Sequence, residues 1–299
     1  MKALLIINPA SGRNQIGSYV QDILSLLRKK GYIAVMRQTR SKDDAKRFVT
    51  ETGESCELIV CCGGDGTLSE VTNGVMALDK RPAIAYIPTG TTNDFSKNMG
   101  LSSDILKSII SLNHGRVQEL DIGLFEDKYF IYVASFGLFA ESSYATPRNM
   151  KMLFGHLAYM IIGTKELFEL RSYRVRITAD GEKCFEDEVI YGSVSNSSSI
   201  GGLMCLNDKL ADLRDGMHEV VLIRRPKSLA EFNDVVRAIV TGKNDSPLIT
   251  VFSARELTVE CETPLDWSLD GEHERTEKTV TIRNLHRAVR LIFPKTVSK

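Results

Sequence analysis

The 299-residue sequence predicts an α/β fold in two domains: an N-terminal doubly wound, mainly parallel sheet, then a strand-rich C-terminal domain, antiparallel and β-sandwich-like. Three observations predict it. Apolar strand-like runs alternate with helical patterns through the first hundred residues, and such alternation implies crossover connections and a parallel sheet. After about Asp121 the period changes to that of successive strands. The length, against about 150 residues per domain, favours two cores over one. The expected boundaries are 1–122 and 123–287, and the segment 288–299 is compatible with a return to the first domain.

Taken in order, Ala3 to Ile7 is a continuous apolar run that reads as a buried strand, and a polar loop follows it. Ile16, Val20, Ile23, Leu24 and Leu27 fall at helical spacing, ending before Gly31. Ile33 to Arg37 is the second strand, Ser41 is placed to cap a helix running through Phe48, and Leu58 to Cys62 is a third strand. A helix over about Leu68 to Leu78 and a strand over Ala83 to Ile87 complete the pattern. In the second half, Lys128 to Ala134, Arg174 to Ala179, Cys184 to Val194, Glu219 to Ile223, Leu257 to Cys261 and Thr279 to Arg283 read as strands. Asp180-Gly181 supplies a hairpin turn, and helices are expected over Asn149 to Leu170 and, behind Ser228, over Leu229 to Thr241.

Composition narrows the function. Lysine plus arginine equals aspartate plus glutamate, 38 against 38, so no bulk positive field drives binding to nucleic acid. The apolar start stops at Asn8, too short for a signal sequence, which reads as a cytoplasmic protein. The most apolar long segment, Met150 to Leu170, is interrupted by Lys151, Lys165, Glu166 and Glu169, so no spanning helix is expected. The six cysteines show no CxxC spacing and read as buried free thiols.

Three loops carry chemistry, each at the carboxyl end of an expected parallel strand, where ligands of such sheets gather. The sharpest is Gly63-Gly64-Asp65-Gly66-Thr67, between the run LIVCC and a helix. Clustered glycines let backbone N–H groups converge, and the helix adds its positive dipole end, which suits phosphate. The spacing matches neither GxxxxGK(S/T) nor the dinucleotide GxGxxG. A bare strand-to-helix turn is the alternative, and three glycines flanking an acid favour phosphate over it. Asp65 beside an anion nest calls for a cation such as Mg²⁺ or for a substrate hydroxyl. Pro88 to Phe95 (PTGTTNDF) follows the fourth strand, and on its own it is equally a helix cap. Asn8 to Arg13 closes the first strand with small polar groups and a cation.

INPASG, GGDGTLSEVTNG, IPTGTTNDF, LDIG and LDGE, in this order over nearly the whole chain, resemble the lipid kinase family of diacylglycerol kinases, sphingosine kinases and their soluble bacterial relatives. GGDGT alone is shared with NAD kinases and phosphofructokinases; GTTNDF and LDGE narrow the resemblance to lipid kinases of the bacterial diacylglycerol kinase type. The resemblance implies ATP in a cleft lined by Asn8, Ser11, Gly12, Thr39, Gly64, Asp65, Gly66, Thr67, Glu70 and Thr91, with Asp65 and Asp94 organising phosphates and metal. It implies that Glu272 of LDGE is the base that takes the proton from the lipid hydroxyl; by itself Glu272 reads as an exposed acid in an Asp-Gly turn. It further implies a structural Mg²⁺ on Asp215, with backbone carbonyls of Asp212 and Met217, and places Asp121 in a linked polar network. Ser69 stands where the family commonly has Asn, and Arg13 where similar bacterial enzymes often carry Lys.

The expected activity is ATP- and Mg²⁺-dependent phosphorylation of a lipid hydroxyl, diacylglycerol to phosphatidic acid. Phosphoryl transfer is mainly positioning and charge neutralisation, and the expected site residues supply both. The alternatives are a soluble small-molecule kinase of the NAD kinase type and a nucleotide-sensing module without turnover. A lipid acceptor implies transient, peripheral membrane contact; the candidate surfaces are the Met150–Leu170 segment, Arg28-Lys29-Lys30, and Arg224-Arg225-Pro226-Lys227. A homodimer is compatible with the sequence. His156, His218 and His273 read as surface or packing residues, and only His273 neighbours Glu272.

Overall fold

The computed structural model describes residues 1–12, 15–91, 93–102, 104–138, 170–196, 214–243 and 245–294. The chain divides into two compact units, Met1–Leu120 with Arg287–Lys299, and Asp121–His286.

In the first unit, β1 (Lys2–Ile7), β2 (Ile33–Gln38), β3 (Leu58–Gly63) and β4 (Ala83–Pro88) form a parallel sheet in the order β2-β1-β3-β4. The register sets Leu4 against Val35 and Ile59, and Ile59 against Ile84. Strands covered on both faces read as unbroken apolar runs rather than as alternation. That is why β1, β3 and β4 are legible, with burial at every position of β3 and β4. The edge strand β2 is mostly exposed, Ile33 by 72%.

A short 3₁₀ turn (Gln15–Tyr19) leads into α1 (Val20–Lys29), which buries Ile23 and Leu27 on one stripe. Then come α2 (Asp44–Thr52), α3 (Asp65–Met76), a short α4 (Asp94–Asn98) and α5 (Ile105–His114). Ile23, Leu27, Ile109 and Leu112 pack with Leu5, Val60 and Ile87 of the sheet. Each fully buried aliphatic side chain contributes about 1.5–3 kcal/mol.

The second unit is antiparallel. After β5 (Arg116–Phe125) come β6 (Lys128–Phe130), β7 (Val133–Gly137), β8 (Tyr173–Ala179), β9 (Glu182–Ser195), β10 (His218–Arg224), α6 (Leu229–Thr241), β11 (Ile249–Ala254), β12 (Glu256–Cys261), β13 (Asp266–Leu269), β14 (Glu272–Arg275) and β15 (Thr279–Phe293). The order is β14-β13-β7-β9-β8-β12-β15, with β10 paired to β9 and β11 to β10. One core gathers Phe125, Phe130, Phe136 and Trp267, the Trp267 ring meeting Phe125 edge-on at 4.9 Å and Phe136 at 4.6 Å. A second packs Phe232, Val235 and Ile239 of α6 on Ile190, Val221 and Ile223. The last segment of β15 pairs in parallel with β4, Leu291 opposite Ile84.

Several expectations are corrected. The run Lys128 to Ala134 is two strands, because the N–H groups of Ile131, Tyr132 and Val133 are taken by the Asp270 carboxylate instead of a ladder. The third helix starts at Asp65, inside the glycine-rich loop, rather than at Leu68. Ser41 does not cap the second helix; its N–H and that of Arg40 donate to Asp44, and Asp43 holds the cap position. Cys56, Cys61, Cys62 and Cys261 are buried, whereas Cys184 is exposed on the outward start of β9. The expected helix over Asn149 to Leu170, save for Leu170 itself, and Arg13, Cys205 and His156 lie outside the described residues.

Candidate active site

The first unit stitches the ends of β1, β3 and β4 together. Parallel strands deliver their carboxyl ends to one edge of a sheet, and each strand here hands its last hydrogen bond across: Asn8 N–H to Cys62 O at 2.8 Å and Thr89 N–H to Gly63 O at 2.8 Å. Side chains then lock the loops. Asn8 donates from Nδ2 to Thr67 Oγ1 at 2.9 Å and accepts Ala10 N–H at 3.0 Å. The Ser11 and Thr89 hydroxyls meet at 2.5 Å, and Asn93 Nδ2 donates to Gly90 O at 2.7 Å. Gly12 takes φ +60, and a Cβ there would lie 2.0 Å from Thr89 O. A Cβ on Gly90 would lie 2.7 Å from Gly64 Cα, so these two loops touch backbone to backbone. Asn8, Ser11, Gly12, Gly64 and Thr67 thus form one cluster, joined by Thr89, Gly90 and Asn93.

Asp65, Gly66 and Thr67 occupy the first turn of α3, where N–H groups have no acceptor within the helix and the macrodipole is positive. Asp65 is half-buried beside Tyr86; burial first, then the Asp65 carboxylate, pushes the Tyr86 phenol above its ordinary value. Burial likewise pushes the Cys61 and Cys62 thiols up, which leaves them poor nucleophiles.

Glu70 has a structural task in this chain: its carboxylate accepts Asp43 N–H at 3.1 Å and Ala45 N–H at 3.0 Å at the start of α2. Thr39 is buried directly after β2, its N–H bonded to Ile7 O at 2.9 Å. Thr91 is exposed, and Asp94 opens α4.

The second unit carries Glu272 as the first residue of β14, after a tight turn in which Asp270 has φ 51 and Gly271 φ 92. Asp270 anchors that turn. Its Oδ2 accepts Ile131 N–H at 2.8 Å, and its Oδ1 accepts Tyr132 N–H at 2.9 Å and Val133 N–H at 3.0 Å. Sequence reasoning singled out Glu272 and missed this role of its neighbour, because the partners lie far away in the chain. His273 is exposed, with Nε2 3.1 Å from Asp266 Oδ1.

Asp121 is fully buried; its Oδ2 accepts Gly216 N–H at 2.7 Å, and its Oδ1 lies 3.1 Å from His286 Nδ1. Asp215 is exposed and turns back on Met217 N–H at 2.9 Å, while the Met217 carbonyl accepts Asn284 Nδ2 at 3.0 Å. Asp212 lies outside the described residues. His218 is a packing residue, stacked on Phe130 at 5.5 Å, and burial depresses its pKa to about 4. The basic pair on β10 and just beyond it is largely neutralised, Arg224 to Asp187 and Arg225 to Glu188, each at 2.9 Å. Among the described residues no helix is long and apolar enough to cross a membrane.

Comparison with known proteins identifies the family. Residues 2–125 match the model described as the diacylglycerol kinase catalytic domain, and residues 133–293 match the YegS C-terminal NAD kinase beta sandwich-like domain. A diacylglycerol kinase of Bacillus subtilis (strain 168) is 34% identical over 301 residues, covering 98% of this chain and 97% of the relative. One from Staphylococcus epidermidis (strain ATCC 12228) is 30% identical over 298 residues, covering 99% and 93%. In fold, the chain is similar to a putative diacylglycerol kinase from Bacillus anthracis str. Sterne, with a TM-score of 0.81 at 23% identity over 99% and 98% of the two chains. It is also similar to an NAD kinase from Archaeoglobus fulgidus solved in complex with ATP, with a TM-score of 0.52 at 14% identity over 99% and 94%. With a matching catalytic-domain model and near full-length relatives at this identity, the chain belongs to the diacylglycerol kinase family and is a kinase.

Proposed function

We propose that the chain is an ATP- and Mg²⁺-dependent lipid kinase that moves the γ-phosphate of ATP to the free hydroxyl of diacylglycerol, giving phosphatidic acid and ADP. The observation that carries this reading is the locked cluster at the ends of β1, β3 and β4, where Gly64 and Gly90 meet backbone to backbone beside the first turn of α3. Converging N–H groups at a helix start suit phosphate oxygens, and bonds such as Asn8 to Thr67 fix them before the ligand arrives. Asp65, Gly66 and Thr67 then face the phosphates, with Asn8, Ser11, Gly12, Thr39 and Thr91 around the nucleotide and Asp94 at the next loop. Glu70 holds the α2 start from behind.

In the transfer the lipid oxygen attacks the γ-phosphorus, the bond from that phosphorus to the β–γ bridging oxygen breaks, and ADP leaves with the electron pair. Glu272 accepts the hydroxyl proton. Asp270 keeps Glu272 in register through its bonds to Ile131, Tyr132 and Val133.

For the metal, no three His, Cys, Asp or Glu side chains gather as a ligand set among the described residues. One carboxylate, backbone carbonyls and water form an all-oxygen set that suits Mg²⁺. The Asp215 turn offers this: its carboxylate is exposed, and the Met217 carbonyl gives one lone pair to Asn284 and keeps a second. Asp215, Met217 and Asp212 are the residues that would hold the ion there. When bound, Mg²⁺ supplies positive charge, against phosphate near Asp65 and Asp94 and against carbonyl repulsion in the Asp215 turn. Membrane contact in this reading is peripheral and transient, made only to reach the acceptor.

The test is incubation of the purified protein with γ-labelled ATP and Mg²⁺ against a panel of diacylglycerol, sphingosine and NAD. Label in phosphatidic acid supports the proposal. Label only in NADP, or ATP binding without any product, rejects it.

A further inference from the structure

We infer that Asn284 and His286 are positioning residues that hold the Asp215–Met217 turn in its metal-binding shape. This rests on the reading of that turn as a Mg²⁺ site, and it names the part of the chain that builds it. Residues two apart on a strand share a face, so β15 presents both side chains to the same side. Asn284 Nδ2 donates to the Met217 carbonyl at 3.0 Å. His286 acts through Asp121: its Nδ1 is 3.1 Å from one carboxylate oxygen, and the other accepts Gly216 N–H at 2.7 Å. The central residue of the turn is thereby gripped by its N–H, and the next by its carbonyl.

Two further observations fit a built device. Gly216 has φ +78, a conformation that suits glycine, and a Cβ there would stand 3.3 Å from His286 Nδ1, so the imidazole lies directly against the turn. Asp121 is 0% exposed, and a carboxylate removed from water needs donors on its oxygens. The imidazole Nδ1–H and the Gly216 N–H supply them. Groups that orient metal ligands in this way typically change affinity 10- to 100-fold when lost.

The test is calorimetric titration with Mg²⁺ alone of the full-length protein and four variants: Asp215→Asn, His286→Leu, His286→Asn and Asn284→Ala. Leucine fills the space of the ring without a donor, whereas the asparagine amide places N–H at the position of Nδ1. Melting curves without Mg²⁺ establish which variants fold. The expected result is loss of Mg²⁺ binding in Asp215→Asn, about 10- to 100-fold weaker binding in His286→Leu and Asn284→Ala, and recovery of most of the affinity in His286→Asn. Wild-type affinity in folded His286→Leu or Asn284→Ala, with Asp215→Asn defective, overturns the positioning role and leaves the metal turn standing. Unchanged binding in Asp215→Asn overturns the metal turn itself, and the positioning role with it. Should His286→Leu not fold, Asn284→Ala and His286→Asn decide the matter by the same criteria.

Discussion

Replacing Asp270 by Asn tests whether a carboxylate far from its partners organises the Glu272 turn. The turn needs no rescue from the change: Asp270 has φ 51 before Gly271, and asparagine is at least as comfortable there. What changes is the acceptor. Oδ1 holds two of the bonds, from Tyr132 and Val133, and the amide oxygen can keep both, as a neutral acceptor. Oδ2 becomes an NH₂ group facing the Ile131 N–H, donor against donor, and that bond is lost. A bond to a charged acceptor contributes about 1.5–3 kcal/mol, a neutral one about 0.5–1.5. One loss and two weakenings in a half-buried place sum to about 2–4 kcal/mol. The chain has a single tryptophan, Trp267, buried in the adjoining strand, so urea unfolding followed by its fluorescence reports on this region. The midpoint should fall by about 1–2 M, taking about 2 kcal/mol per M. Turnover should fall about 10- to 100-fold through the displaced Glu272, with ATP affinity retained. A stability change under about 0.5 kcal/mol would show that the Asp270 carboxylate does not organise the Glu272 turn.

Other outcomes follow from the same geometry. Glu272→Gln should abolish phosphorylation while leaving ATP binding intact; retained turnover removes Glu272 from the role of base. Gly12→Ala forces a side chain into a left-handed backbone and against Thr89 O, and should weaken ATP binding at least about tenfold, since the strain alone is about 1–2 kcal/mol. Wild-type ATP affinity in that variant would count against the cluster. The Arg47 guanidinium, then the Arg40 and Ser41 N–H groups, hold the Asp44 carboxyl well below the usual carboxylate range. Its contribution is therefore complete above the unfolded value of about 3.9 and is lost as pH falls through the folded one. The melting-temperature gap between wild type and Asp44→Asn should accordingly be largest near neutral pH and shrink below about pH 4; a gap that widens on acidification contradicts the assignment.

The sequence was most informative where structure is local. The apolar runs of β1, β3 and β4 need no tertiary context, and α6 begins where Ser228 stands, its hydroxyl accepting Glu231 N–H at 3.2 Å. The cluster residues Asn8, Gly12, Gly64 and Thr67 were visible because tight backbone approach demands glycine and small polar groups. Where long-range bonds decide, the sequence was silent. Nothing near Ile131 announces that Asp270, 139 residues on, takes its N–H and cuts a strand in two. The helix expected from about Leu68 starts at Asp65 instead, and so takes in Gly66, although glycine is a poor helix former. His286 and Asn284 carry no local motif, and only the fold shows that they meet Met217 and Asp121.

The most direct measurement is a structure determined with a non-hydrolysable ATP analogue and Mg²⁺ bound. If the glycine-rich loop is the phosphate cradle, triphosphate oxygens lie within hydrogen-bond distance of the backbone N–H groups of Gly64, Asp65, Gly66 and Thr67. A nucleotide whose phosphates rest elsewhere, with those N–H groups facing only water, would contradict it.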